Sequence, residues 1–310
     1  MKIVFFGTSE FAAKILFDLL KKKYEIVAVV TRSDKPQGRS LQMSYPPVKK
    51  MITSFDFQIP VLQPEKASTF EFEQILKGFN ADLFLVVAYG EILKENILSI
   101  PVKGCINIHA SLLPKFRGAA PIQRSILEGD SKTGVTIIEM VKKMDAGDML
   151  AKEEVEITPN MNFEQVEQRL LDACYSIVPK VLDHFDVYYG NKQPQDEDLV
   201  TFANKITPSD LEINWFDNAE VNLNKVRAFS PYPGAFCKIK IGNDTKRIKI
   251  KNARLSTLNG SPGETIDGNK NLIVACCNGS LEILEVQLEG KKTISSIDFL
   301  RGLHHNITFN

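Results

Sequence analysis

Short β-branched runs alternate with stretches of helical period over the first half of the chain. "KIVFF" (2–6), "YEIVAVVT" (24–31), "DLFLVVAY" (82–89) and "GCINIHA" (104–110) are predicted strands. Between the first two, "EFAAKILFDLLKKK" (10–23) has the spacing of an amphipathic helix. Ser9 is placed to cap it, and Lys21 to Lys23 lie at the end where positive charge is favoured. Further helices are predicted over "PVKKMITS" (47–54), over "AAPIQRSILEGD" with Pro121 in its first turn, and over "NFEQVEQRLLDACYSIVPKVLDHF" (162–185). "TGVTIIEM" and "DMLAKEEVEI" read as a pair of strands. Alternation of this kind predicts an α/β domain, a Rossmann-like and mostly parallel sheet with helices on both faces.

The pattern changes after a polar stretch, "YGNKQPQDEDL" (189–199), which carries Gly190 and Pro194 and reads as a linker. One helix is predicted over "NAEVNLNKVRAF". The strands "AFCKIKI", "KRIKIKNARL", "LIVACC" and "LEILEVQL" follow, split by Gly-Asn, Asn-Gly and Pro-Gly turns. Short strands and tight turns predict a small OB-like β-barrel. The domain map is therefore 1–189 for the α/β domain, 190–205 for the linker and 206–310 for the barrel.

Composition narrows the class. The chain has 310 residues, with 38 Lys plus Arg against 38 Asp plus Glu, so a polyanionic partner must be held by a local basic patch and not by net charge. The five cysteines, Cys105, Cys174, Cys237, Cys276 and Cys277, show no Cys-x-x-Cys spacing and read as reduced thiols in a cytoplasmic protein, with neither disulfides nor a metal site. "MKIVFFGTSE" is apolar for too few residues to serve as a signal segment or a membrane span.

Candidate chemistry sits at the end of the fourth predicted strand. In a strand Cys105, Asn107 and His109 share one face, so an amide and a titratable ring stand side by side at the strand's carboxyl end, where open parallel sheets bind ligands. A carboxylate follows in "VKKMDAGDML", where Asp145 and Asp148 flank Ala146-Gly147. Amide, imidazole and carboxylate together suit acyl transfer to an amine: the amide holds a developing oxyanion and the other two manage protons.

The long string "GCINIHASLLPKFRGAAPIQ" with "TGVTIIEMVKKMDAGDML" resembles the enzymes that transfer a formyl group from 10-formyltetrahydrofolate. "FFGTSEFA", "VVAYGEIL", "INW", "RAFSPYPGA" and "GKKTISSIDFL" extend the resemblance over nearly the whole chain. Within that family it is most similar to members that act on initiator methionyl-tRNA. The resemblance implies a catalytic trio at Asn107, His109 and Asp145. It also implies folate contacts at Ser111, Leu112, Leu113 and Pro114 and at Val86, Val87, Tyr89 and Gly90, with 10-formyltetrahydrofolate as co-substrate and no metal. Arg117 belongs to the motif and reads as a structural ion pair.

The loop "RSDKPQGRSLQMSYPP" is long for a connection inside such a domain. The resemblance implies that it meets the acceptor end of the tRNA, with Arg39 as the leading contact and Lys35 beside it. In the barrel, Lys238 and Lys240 alternate with Ile239 and Ile241, as Lys249 and Lys251 do with Ile248 and Ile250. One face is thus basic, in a segment that also carries Lys246 and Arg247, a platform for RNA. A cytoplasmic monomer without membrane contact is expected. Three alternatives stand at this point: a formyltransferase for an amino sugar nucleotide, a non-catalytic RNA-binding protein, and a dinucleotide-dependent oxidoreductase. The last needs a three-glycine fingerprint, of which "FFGTSEFAA" has only Gly7.

Overall fold

A computed structural model describes residues 1–37, 42–267, 271–303 and 307–309. The chain divides into two compact units. The first comprises residues 1–121, 133–155 and 167–203, and the second 122–132, 156–166 and 204–310.

In chain order the first unit holds β1 (Ile3–Gly7), α1 (Glu10–Lys21), β2 (Ile26–Val30), β3 (Lys35–Gln37), β4 (Gln42–Ser44), α2 (Pro47–Ser54), β5 (Val61–Leu62), α3 (Phe70–Gly78), β6 (Leu83–Val87), α4 (Glu95–Leu98), β7 (Cys105–His109) and β8 (Arg117–Gly118). After α5 (Pro121–Leu127), most of which belongs to the second unit, come β9 (Lys132–Glu139), β10 (Met149–Glu156), α6 (Phe163–Asp183), α7 (Phe185–Gly190) and β11 (Phe202–Ala203). The main sheet runs β10-β9-β7-β6-β1-β2-β5. β5, β2, β1, β6 and β7 are parallel, and β9 is antiparallel to β7. All five residues of β1 and of β6 are buried, as covered parallel strands must be. Ser9 caps α1 as its position predicts, its hydroxyl accepting from the Ala12 amide at 3.2 Å.

The long loop contains an element that periodicity did not reveal: β3 and β4 pair as an antiparallel hairpin, Lys35 opposite Ser44. Helix α3 was also missed. Its Phe70, Ile75 and Lys77 are exposed while only Phe72 and Leu76 are buried, so its apolar stripe is narrow and its helical period weak. The polar stretch read as a linker is tied into the first unit: β11 lies parallel to β8, and Met149 and Gln193 exchange backbone hydrogen bonds.

The second unit contains α8 (Ala219–Ala228), β12 (Ala235–Ile241), β13 (Asp244–Ser256), β14 (Thr265–Asp267), β15 (Leu272–Ala275), β16 (Ser280–Leu288), β17 (Ile294–Ser295), α9 (Ser296–Arg301) and β18 (Ile307–Phe309). One antiparallel sheet runs β14-β15-β16-β13-β12-β18, with β17 added to β16. The two edges curl toward each other. Just before β14, a Cβ on Gly263 would stand 2.8 Å from the Phe309 carbonyl oxygen, so the barrel is nearly closed. Ile239, Ile248 and Ile250 point into its core, and Lys238, Lys240, Lys246 and Arg247 are exposed.

Candidate active site

Ile106 and Ile108 anchor β7 in the core, and the two-residue period sends Asn107 and His109 to the other face. Neighbours fix the strand on both sides: Asn107 is in register with Val86 of β6 and Ile138 of β9, His109 with Thr136. The third group arrives from the loop between β9 and β10. The Asp145 carboxylate accepts from the Asn107 amide (Nδ2 to Oδ1, 3.3 Å) and from the Gly118 backbone N–H (2.9 Å), and its Oδ2 lies 3.6 Å from His109 Nδ1. Side chains 38 and 36 positions apart in sequence thus meet at the carboxyl end of β7.

The imidazole's proton pattern follows from its partners. His109 is 5 % exposed, and its Nε2 lies 2.8 Å from the Phe116 carbonyl oxygen. A carbonyl only accepts, so Nε2 carries a hydrogen. Nδ1 then faces the Asp145 carboxylate, and one proton placed between them makes an imidazolium–carboxylate pair. Without it, Nδ1 is a base. Asn107 Nδ2 offers a second N–H beyond the one given to Asp145. Cys105, on the same face, is no nucleophile at neutral pH: burial pushes its thiol far above the usual range.

The loop carrying Asp145 is tightly specified. Asp145 has φ +50°, a left-handed conformation that costs a non-glycine residue roughly 1–2 kcal/mol and persists only where surroundings hold it. Gly147 is pressed on the end of β9, where a Cβ would sit 1.8 Å from the Glu139 carbonyl oxygen. The Glu139 amide in turn donates to the Asp148 carbonyl at 2.9 Å. Asp148 itself points to Lys192, at 3.9 Å.

The turn after β7 is braced by Thr136. Its hydroxyl donates to the Ser111 carbonyl (2.7 Å) and accepts from the Leu113 amide (3.1 Å). Ser111, fully buried, donates to the Lys115 carbonyl, so its hydroxyl is spent inside the turn. Lys152 donates to the Leu113 carbonyl, and burial lowers its pKa. Leu112 and Pro114 remain half-buried. On β6, Val86 and Val87 are buried. The Tyr89 ring packs edge-on against Phe6 in the core, 5.5 Å between centroids, and burial together with Glu91 raises its hydroxyl to about 12. Gly90 follows, exposed, at φ +84°.

Arg117 forms the ion pair expected of it, but with a partner from the polar stretch read as a linker. Its Nη2 donates to Glu197 Oε1 (2.8 Å) and its Nε to Gln195 Oε1 (2.9 Å). Hydrogen bonds from Arg117, and secondarily from Lys143, hold the Glu197 carboxyl down at about 2. Gln195 and Glu197 carry no pattern that sequence reasoning could use, since a polar residue in a Pro-containing stretch has the same signature whether it is solvated or buried against a site.

Of the proposed RNA contacts, Lys35 is exposed on β3, while Arg39 lies outside the described residues. Lys246 pairs with Asp244 at 3.6 Å, and the Arg247 guanidinium stacks 3.4 Å over the Phe236 ring. Lys249 donates to the Pro233 carbonyl and Lys251 to that of Pro231, so these two amines are partly committed to bracing the 231–233 turn. Lys238 stands directly opposite Arg247 in the β12–β13 register.

Comparison with known proteins adds an independent line. Residues 1–182 match the family model described as "Formyl transferase", and residues 205–304 match "Formyl transferase, C-terminal domain". A methionyl-tRNA formyltransferase of Protochlamydia amoebophila is 46 % identical over 99 % of this chain and 96 % of its own. Among solved structures, a methionyl-tRNA formyltransferase from Clostridium thermocellum superposes with a TM-score of 0.57 at 19 % identity, covering 83 % of this chain and 94 % of that one. HypX from Aquifex aeolicus in complex with tetrahydrofolic acid superposes with a TM-score of 0.65 at 17 % identity, covering 99 % of this chain and 48 % of its own.

Proposed function

The chain belongs to the formyl transferase family, and from that premise we propose that it transfers the formyl group of 10-formyltetrahydrofolate to the α-amino group of initiator methionyl-tRNA. The observation that carries the reading is the convergence of Asn107, His109 and Asp145 at the end of β7, in a chain nearly half identical over its length to an enzyme named for that reaction.

Each side chain has a distinct task. The second N–H of Asn107 donates to the formyl oxygen as negative charge develops there, a contribution of about 2.7–4 kcal/mol for one such donor. An esterified α-amine has lost its carboxylate and titrates below the free α-amino range of about 7.7–8.0, so it needs modest base help. The Asp145–His109 pair takes up, between the carboxylate and Nδ1, the proton that the amine loses on attack and returns it to the departing folate nitrogen. The Phe116 carbonyl keeps the ring in the orientation that turns Nδ1 toward that carboxylate. Half-buried Leu112 and Pro114, with Ser111 and Leu113 bracing the turn between them, form one wall for the folate. Val86, Val87, Tyr89 and Gly90 form the other, the Tyr89 ring acting only as core support.

The acceptor is held by cations. Arg39 and Lys35 approach the acceptor end of the tRNA, and Lys246, Arg247 and Lys249 meet its phosphates. Placing Lys238 against Arg247 costs cross-strand repulsion, which an RNA backbone lying over the pair relieves. The reading places the protein in the cytoplasm as a monomer; among the described residues no helix is long and apolar enough to cross a membrane. An amino sugar acceptor would leave this basic face without a task, and an RNA-binding protein without catalysis would leave the amide, imidazole and carboxylate without one.

The test is formylation of methionyl-tRNA from 10-formyltetrahydrofolate by the purified chain, with an amino sugar nucleotide and a mischarged tRNA as competing acceptors. Tetrahydrofolate release dependent on methionyl-tRNA supports the reading. Release with the amino sugar alone, or none with either, overturns it.

A further inference from the structure

The residues that hold the Asp145 loop from behind come from the polar stretch 190–203. The Gln195 carboxamide donates from Nε2 to two backbone carbonyls, Asp145 O at 2.7 Å and Gly147 O at 2.8 Å, while its Oε1 accepts from Arg117 Nε at 2.9 Å. These partners fix the amide's orientation, because carbonyls only accept and a guanidinium only donates, so a flipped amide would lose all three bonds. Arg117 is almost wholly buried and is anchored by Glu197, and its Nη1 is buried with no partner among the described residues. A guanidinium kept in so incompletely satisfied a place is poor stabilising design. One residue on, the Gly118 N–H grips the Asp145 carboxylate itself.

We propose that Gln195, oriented by Arg117, is a positioning residue for formyl transfer: it pins the backbone on both sides of Ala146 and thereby aims the Asp145 carboxylate at His109. The hydrogen bonds of Gln195 run to two backbone carbonyls and to Arg117, and not to the side chains of Asn107, His109 or Asp145. Its effect passes through Asp145, whose left-handed backbone needs holding from outside the loop. The proposal rests on the functional reading above for its kinetic half, and on geometry alone for its structural half.

The test uses the full chain carrying Gln195→Met, which keeps length and volume and removes both donors and the acceptor. Two measurements are made: steady-state formylation of methionyl-tRNA, and the imidazole nitrogen resonances of 15N-labelled protein without substrates. The chain has only four histidines, so the His109 signal is assigned by comparison with His109→Asn. The expected result is a fall in kcat of tenfold or more, with KM for donor and acceptor within threefold of the unsubstituted chain and a displaced His109 Nδ1 resonance while the other three histidines stay in place. If Gln195→Met does not fold, Gln195→Glu, which retains an acceptor for Arg117 but offers no amide donor, is read in the same way. An unchanged kcat with an unmoved His109 resonance overturns the proposal, as does a loss confined to KM. If the unsubstituted chain does not formylate methionyl-tRNA and the resonance still moves, the acceptor assignment fails while the positioning role stands.

Discussion

Adding one methyl group at Gly147 isolates the aim of Asp145 from its chemistry. Gly147 is outside the left-handed region, so alanine is compatible with its backbone, and the obstacle is the Glu139 carbonyl group, its oxygen 1.8 Å and its carbon 2.8 Å from the new Cβ. Real Cβ atoms do not approach such an oxygen nearer than 3.0 Å, so the backbone must separate by about 1.2 Å. Glu139 is held by the β7 ladder, with Ile106 opposite it, and so the loop moves. That displacement, two residues from Asp145, breaks the Gln195–Gly147 bond and shifts the carboxylate relative to His109. Misplacement by about 1 Å costs on the order of 100-fold in rate, or about 2.7 kcal/mol of barrier. We expect Gly147→Ala to lower kcat for formylation about 100-fold with KM for the folate within threefold, because the turn over 111–114 is braced separately by Thr136. The control is Gly78→Ala in α3, where a Cβ meets nothing within 4 Å; it should leave turnover unchanged and not lower the melting temperature. A folded Gly147→Ala enzyme with kcat within threefold of the parent would refute the claim that this loop sets the carboxylate's position.

Asn107→Ala removes the proposed oxyanion donor without touching the turn, and should reduce kcat by about 10²–10³ with folate affinity, read by titration calorimetry, unchanged. Lys238→Glu has opposite effects on stability and binding: it replaces a like-charge pair with an attractive one opposite Arg247, adding about 0.2–1 kcal/mol to unfolding in urea, yet it weakens tRNA binding. A slope of log Kd against log salt reduced by roughly 0.7–0.9 or more would report the lost phosphate contact, and an unchanged slope would remove Lys238 from the RNA surface. In the second unit, burial works to raise the Asp210 pKa, but hydrogen bonds from Arg124 and Thr207 outweigh it and hold the carboxyl at about 2. A carboxyl depressed in the folded state stabilises above its unfolded pKa and loses that stability as pH falls through the folded one, so up to about 2 kcal/mol should disappear between about pH 4 and pH 2. The melting curves of the parent and Asp210→Asn should therefore converge over that window.

The parts of this molecule that periodicity announces are those whose burial is set by the elements themselves. β2, β6 and β7 fall within the predicted runs, as do β12 and β15 in the barrel, and β1 and β16 overrun theirs by one residue, because each is a short run rich in apolar residues between turn formers. The shared face of Asn107 and His109 was legible for the same reason, since a strand has period two. Asp145 could be paired with them only through the longer motif, because nothing local says where a loop between two strands will point. The β3–β4 hairpin was invisible because its strands are three residues each, one with a proline, and Lys35, Pro36 and Met43 are exposed, so burial imposes no alternation on them. The polar stretch 189–199 reads as a linker, whereas Gln195 and Glu197 bind a buried arginine and Gln195 also binds the backbone of the Asp145 loop. A single amide satisfied by three partners from distant positions leaves no trace in composition.

The site is built from one rigid half and one supported half, and this division explains which remote changes should matter. Asn107 and His109 sit on an inner strand hydrogen-bonded on both sides, so their geometry is as stiff as the sheet and tolerant of changes in the surrounding loops. Asp145 has no such frame. Its carboxylate is gripped by Gly118 N–H, its carbonyl by Gln195, and the carbonyl of Gly147 by the same Gln195, while the β8–β11 pairing holds Arg117–Gly118 and the 195–203 segment together. Substitutions that loosen that pairing, including any side chain at Gly118, whose Cβ would stand 2.7 Å from the Ala203 carbonyl oxygen, reach the site through the carboxylate. Loss of Asp145's aim leaves Asn107 on its strand and the proposed folate walls in place, so such variants should bind both substrates and stall at the proposed proton transfer.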